Sequence, residues 1–211
     1  VTARSAGRPR SFDRDDALRR AAHLFWQHGY SGTSTRALSE ALGISNSSLY
    51  AAFGTKAQLF DEAVRTYALR YSAVYDQAVT QPTLARVLAT LLLGSVEEFT
   101  RVEHGHPGCL TSSAAMADSS TTLDVRAYVT GLQQADESRL RDRIRRAALE
   151  GDLRADIEPD ALAALIHTLW QGLSTRAELG AGREELTGAA QLALKLIHPV
   201  SPPGSAREAP G

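Results

Sequence analysis

Asn46, Ser47 and Ser48 stand together directly after Ser45, and Tyr50 and Lys56 follow at short intervals. Amide and hydroxyl groups donate and accept hydrogen bonds without titrating near neutral pH, so this set suits recognition and not proton transfer. Asn can pair bidentately with adenine, Ser can bond any base edge, and a Tyr hydroxyl or Lys ammonium can reach phosphate oxygens. Thr33, Ser34, Thr35 and Arg36 offer the same groups a little earlier in the chain. Covalent chemistry finds no comparable set: there is no Gly-x-Ser-x-Gly, no Walker loop, no His-Glu-x-x-His and no Gly-x-Gly-x-x-Gly. His104-Gly105-His106 lacks an acid- or cysteine-rich partner set, so neither a metal nor a cofactor is expected, and the protein is not read as an enzyme.

The elements that must position these residues are helical throughout, because apolar residues recur at three- and four-residue spacing and no strict β alternation is found. A first helix is expected over 13–28, with Leu18, Ala21, Ala22 and Phe25 on one face and Gly29 as its stop. Ser34 or Thr33 caps a short helix ending at Gly43, and Ser45 caps a second one running to about Ala52. Two short helices about a glycine turn form a helix-turn-helix, whose second helix enters the major groove with its N-terminal residues at base edges. That is the position of Asn46, Ser47 and Ser48. Tyr50 is then either a phosphate contact or a core aromatic, Arg36 a phosphate contact or a solvated charge, and Ser45 above all a cap.

Beyond it, Thr55 caps a long helix over 56–79, and further helices are expected over 83–102, 122–149, 159–179 and 183–197, with a short one over 110–117. The last two major helices carry Ala161, Leu162, Leu165, Ile166, Leu169, Leu173, Leu186, Ala190, Ala193 and Ile197. This is more apolar surface than one small bundle hides, and with the small Ala164 and Gly172 it predicts a homodimer through an isologous four-helix interface. The division is into a basic arm (1–11), a helix-turn-helix module (12–60), a larger bundle (61–199) and a Pro/Gly-rich tail (200–211) expected to be disordered.

Charge divides the same way. Residues 1–60 hold eight bases and four acids, whereas the remainder holds 15 and 20, so a net charge of -1 conceals a basic first quarter. One end is suited to a polyanion. Arg8 and Arg10, with Arg4, lie on an extended arm beside Pro9, either entering an A/T-rich minor groove or adding unspecific phosphate attraction. The one cysteine excludes an internal disulfide, no apolar run approaches the roughly 20 residues of a membrane helix, and no secretory signal is visible, so the cytoplasm is the expected location.

The run Gly29-Tyr30-Ser31-Gly32-Thr33-Ser34-Thr35-Arg36-Ala37-Leu38-Ser39-Glu40-Ala41-Leu42-Gly43-Ile44-Ser45, with Ser48-Leu49-Tyr50, Phe53-Gly54, Lys56 and Leu59-Phe60, resembles the DNA-binding domain of the tetracycline-repressor (TetR) family. One departure is Ala52, where members often carry a histidine or another polar residue that helps at the DNA backbone. The resemblance implies an all-α, homodimeric, ligand-responsive regulator, a repressor released from a palindromic double-stranded operator by a small apolar effector. It also implies an effector cavity, for which Leu91, Leu92, Phe99, Met116, Tyr128, Leu132 and Trp170 supply apolar walls and Ser113 and His167 polar groups, each open to a plain core role. Cys109, between Gly108 and Leu110 at a helix start, is either a reactive thiol sensing oxidants or electrophiles or an inert buried one. The rival class is a helical enzyme or ligand carrier with a merely solvated basic face, which would show no operator affinity.

Overall fold

Four side chains start the first four helices of the computed structural model, which describes residues 12–101 and 125–197. The Asp13 carboxylate accepts from the N–H groups of Asp15 and Asp16 and so opens α1 (Arg14–Gly32), and these donors hold its pKa below the usual carboxylate range. Ser34 accepts from Ala37 N–H to open α2 (Thr35–Leu42), and Ser45 accepts from Ser48 N–H to open α3 (Asn46–Phe53). Thr55 and Gln58 form a reciprocal capping box for α4 (Lys56–Val79). The remaining helices are α5 (Leu84–Phe99), α6 (Val125–Leu149), α7 (Pro159–Glu178) and α8 (Arg183–Ile197), with no strand among the described residues. The fold is all-α.

Two glycines shape the module. Gly43 ends α2 in the left-handed region (φ 67°), where its N–H bonds Glu40 O and Ile44 N–H returns to Ser39 O at 3.1 Å, a Schellman end that turns the chain into α3. Gly29, expected as the end of the first helix, breaks helical geometry (φ 69°, ψ 173°), yet one more turn follows through Gly32. The helix is kinked there and not finished.

The four helices of the module enclose one core, in which Phe25 meets Phe60 edge-on at 4.9 Å and Leu38, Leu42, Leu49 and Phe53 close the other sides. This core takes α4 as far as Tyr67. From Tyr71 onward the same helix belongs to a second core, built with α5, α6, α7 and α8. α4 is therefore a rigid shaft common to both. Arg139 of α6 pairs with Asp76 and Asp136, and the Ser72 hydroxyl donates to Asp136 at 3.3 Å, bracing α4 against α6. Arg143 donates to the carbonyls of Gln81 and Pro82 and pins the turn from α4 to α5. Asp152 accepts from Leu84 N–H at 2.5 Å at the start of α5. No described helix is long and apolar enough to cross a membrane.

The two cores also meet through Trp26. Its ring stands edge-on to Tyr67 at 6.1 Å, and its indole N–H donates to the carboxylate of Glu178 at the end of α7. Burial pushes the Glu178 carboxyl up to about 7, against the smaller opposing effect of the Trp26 bond. The folded state then holds a proton that the unfolded state has released between its ordinary value of 4.5 and about 7. Stability from this group is complete below that window and is lost as pH rises through it. Glu178→Gln, which keeps an acceptor for Trp26, is expected to raise Tm by a few degrees at pH 8 and to change it little at pH 5. Calorimetry at the two pH values checks this, and an equal shift at both would leave the carboxyl without a titrating role.

Candidate nucleic-acid interface

The end of the module formed by α2 and α3 presents a polar face. Asn46 and Ser47 are exposed on the first turn of α3, and Ser45 is held by accepting from Ser48 N–H while contacting the hydroxyls of Ser47 (2.8 Å) and Ser48 (3.0 Å). The Asn46 side-chain oxygen accepts from the Ser39 hydroxyl at 2.5 Å, which fixes the amide against α2. Its NH₂ group and the second lone pair of that oxygen remain for a base edge. Tyr50, one turn on, is 49% exposed and stands outside the module core. Ala52, by contrast, is half-buried and packs against the module core.

Ser34, Thr35 and Arg36 flank this face at the start of α2. Arg36 is 86% exposed by side chain and paired with Glu40 at 2.8 Å. A pair so exposed contributes little, so exchanging the carboxylate for a phosphate costs little. Arg19 and Arg20 both pair with Asp16, at 3.0 and 2.7 Å.

Two expected DNA contacts point the other way. Thr33 is 1% exposed, and its hydroxyl donates to Leu24 O and Gly29 O, closing the kinked end of α1. Lys56 donates from Nζ to Tyr30 O and Thr33 O, both at 2.9 Å, and lies 4.2 Å from the Tyr30 ring centre. Both side chains are spent inside the module, so they position the interface and do not reach a phosphate in this arrangement. Arg14, one of the basic residues on the polar face of the first helix, does similar work: it pairs with Glu62 across α1 and α4 and covers the Phe53 ring at 4.8 Å. Its only sequence signal is a basic residue in the first turn of a helix, where it opposes the helix dipole and so needs another reason to be there.

The residues expected around an effector separate into three groups. Leu91, Leu92, Phe99 and Trp170 are all buried in the second core, with Phe99 and Trp170 ring centres 5.3 Å apart and Trp170 N–H donating to Ser95 at 2.8 Å. His167 stacks on Trp170, and its ring nitrogens face the Tyr75 hydroxyl at 3.0 Å and Gln171 at 3.3 Å. Nδ1–H donating to Tyr75 while Nε2 accepts from Gln171 satisfies both nitrogens, and burial lowers the pKa, which favours this neutral form. His167 is thus buried with a partner at each ring nitrogen. Leu132 is half-buried on α6. Tyr128 belongs elsewhere: it packs against the module core with the Arg65 guanidinium 4.0 Å from its ring centre, so it does not line a site with Trp170. Cys109, Ser113 and Met116, with His104, His106, the 110–117 helix, Arg8, Arg10, the arm and the tail, lie outside the described residues. No group of three or more His, Cys, Asp or Glu side chains among the described residues could hold a metal ion.

This geometry coincides with two family models. Residues 17–63 match the model of bacterial regulatory proteins, tetR family, and residues 83–193 match the tetracyclin repressor-like C-terminal domain. The chain belongs to the TetR family. It is 30% identical to the HTH-type transcriptional repressor ComR of Escherichia coli strain K12, over 92% of each chain. The transcriptional regulator AcuR of Cereibacter sphaeroides is 27% identical over 82% of each. Among solved structures, a triple cysteine mutant of the TetR family regulator CifR, complexed with 26-base-pair operator DNA, is 38% identical with a TM-score of 0.78, covering 91% of this chain and 100% of that one. A putative TetR regulator from Rhodococcus sp. RHA1 is 36% identical with a TM-score of 0.62, over 88% and 100%. As a TetR-family protein this chain is a DNA-binding transcriptional regulator.

Proposed function

We propose that the protein is a homodimeric repressor that reads a palindromic double-stranded operator through Asn46, Ser47 and Ser48, with Ser34, Thr35, Arg36, Ser45 and Tyr50 at the backbone. A small uncharged effector bound among α5, α6 and α7 would release it. The observation that carries the reading is the first turn of α3, where a fixed amide and exposed hydroxyls stand clear of the core. The operator complex of the CifR relative supports the same use of the module. Release requires that effector binding favour a spacing of the two recognition helices unsuited to successive major grooves, about 34 Å apart on B-DNA. By linkage, such an effector binds the DNA-held protein less tightly by the factor with which it weakens DNA binding. Arg8 and Arg10 would extend the contact along the arm.

Selection of bound sequences from a random DNA pool tests the reading, a palindrome being the expected product. On the selected site, Asn46→Ala should cost about 1–3 kcal/mol at one base position only. Tyr50→Phe should weaken all sequences by a similar factor, since a phosphate contact carries no base information. Identical base preferences in wild type and Asn46→Ala would remove Asn46 from base readout.

A further inference from the structure

We infer that Ser39 of α2 is a positioning residue for sequence recognition: its hydroxyl fixes which end of the Asn46 amide meets the DNA, and so disfavours cytosine at the base that Asn46 reads. The inference rests on the proposed reading of Asn46 as a base contact, and adds to it the sense in which the amide is held. Ser39 stands inside the eight-residue helix α2, where serine is a poorer helix former than alanine. Its side chain instead reaches across the turn to the first residue of α3.

The turn makes this reach stationary. The backbone carbonyl of Ser39 accepts from the N–H groups of Gly43 and Ile44, the latter at 3.1 Å, so the residue anchors the turn that launches α3. The hydroxyl of the same residue donates to Asn46 Oδ1 at 2.5 Å. That separation falls in the range of an O–H···O bond, roughly 2.5–3.0 Å, and below the roughly 2.7–3.2 Å of a bond from nitrogen. The amide oxygen, not the NH₂ group, is therefore the end that faces Ser39. The neighbouring hydroxyls are engaged with one another, Ser45 with Ser47 at 2.8 Å and with Ser48 at 3.0 Å.

An amide is nearly symmetric in shape and opposite in polarity at its two ends, so a half-turn about its last bond exchanges acceptor for donor at one place in space. A freely turning asparagine therefore suits any base edge. With its oxygen drawn to α2, Asn46 leads with N–H donors, which meet N7 and O6 of guanine, N7 of adenine or O4 of thymine. Cytosine shows only its N4 donor in the major groove, and donors set against each other leave both unpaired. In the free protein the Ser39 bond is exposed and contributes little, because water can replace it. Against a base edge water is excluded, and the same bond decides which edge is accepted.

On the operator selected from the random pool, the base in question is the one whose preference Asn46→Ala relaxes, and versions differing only there are titrated with the full chain. Wild type should bind the cytosine version about tenfold or more below its best base. Ser39→Ala should reduce that gap by about threefold or more, with Tm unaltered, since alanine strengthens α2 as it removes an exposed bond. Ser39→Thr, which keeps the hydroxyl, should restore the wild-type order of bases. In an Asn46→Ala background, Ser39→Ala should change base preference no further. A cytosine gap equal in wild type and Ser39→Ala overturns the inference, as does an equal loss on every version, which marks a backbone contact or a structural role. A wild type that favours cytosine overturns the assigned sense of the amide. A preference that Ser39→Ala still moves without the Asn46 amide makes Ser39 the reader itself and overturns the positioning role. Wild-type preferences retained at every base in Asn46→Ala remove base readout by Asn46, and the inference falls with that reading.

Discussion

Lys56→Met is expected to lower stability by about 2–3 kcal/mol and to weaken binding to every DNA sequence by one common factor. Its ammonium makes two charged hydrogen bonds at 2.9 Å, to Tyr30 O and Thr33 O, and lies over the Tyr30 ring. Hydrogen bonds to charged groups contribute about 1.5–3 kcal/mol each and are not additive, while the methionine keeps most of the packing. For a chain of this size each kcal/mol moves Tm by roughly 2–4 °C, so a fall of about 5–10 °C is expected. The same bonds fix where α1 ends and α2 begins, so their loss lets the recognition helix drift relative to α4. Salt dependence separates this role from a phosphate contact. Removing a cation from a phosphate lowers the slope of log K against log salt by about 1, whereas loosening the module leaves the slope unaltered. A Lys56→Met protein with wild-type Tm and a slope reduced by one would return the side chain to the DNA.

That reversal shows what the sequence carries and what it leaves open. Ser34, Ser45 and Thr55 are legible as caps because each acts on an amide three residues away. The helix-turn-helix is legible from such local signals and from the Gly43 turn. The partners of Lys56 lie 23 and 26 residues back along the chain, and only packing brings them to its ammonium. A lysine at the first position of a helix reads equally well as a phosphate contact. The place of Tyr128 is not legible for a related reason: periodicity gives the face of a helix but not which of two cores that face meets. The pairing of Arg14 is not legible either, because its partner, Glu62, belongs to another helix and neither residue is part of a motif.

Burial within the protomer also qualifies the expected dimer surface. Of the residues read as interface, Leu162, Ile166, Leu173, Leu186, Ala190 and Ile197 are buried within the protomer and cannot meet a partner directly. They hold α7 and α8 against α5 and α6. What the protomer leaves uncovered is Leu165 at 48% exposed, with Leu192 at 58% and Leu196 at 71%, the last two unnoticed in the sequence. Ala164 and Gly172 are exposed on α7, and a side-chain carbon added at Gly172 would meet nothing within 4 Å. A partner helix can approach closely there.

Leu192→Glu and Leu165→Glu are expected to dissociate the proposed dimer and with it abolish operator binding at concentrations that saturate the wild type. Each leucine buried on association contributes about 1.5–3 kcal/mol, and two-fold symmetry counts each twice. A glutamate at the same place adds a desolvated, unpaired charge from both subunits, like beside like. The sum is several kcal/mol, or at least about a thousandfold in the dimer constant. A monomer reaches only one half-site, so loss of affinity should be steepest for the palindrome and slight for a single half-site. Leu149→Glu, at a leucine 90% exposed at the end of α6, is the matched control and should remain dimeric. Sedimentation equilibrium at micromolar concentration decides between the faces: dissociation by Leu149→Glu with Leu192→Glu intact would move the interface off α7 and α8.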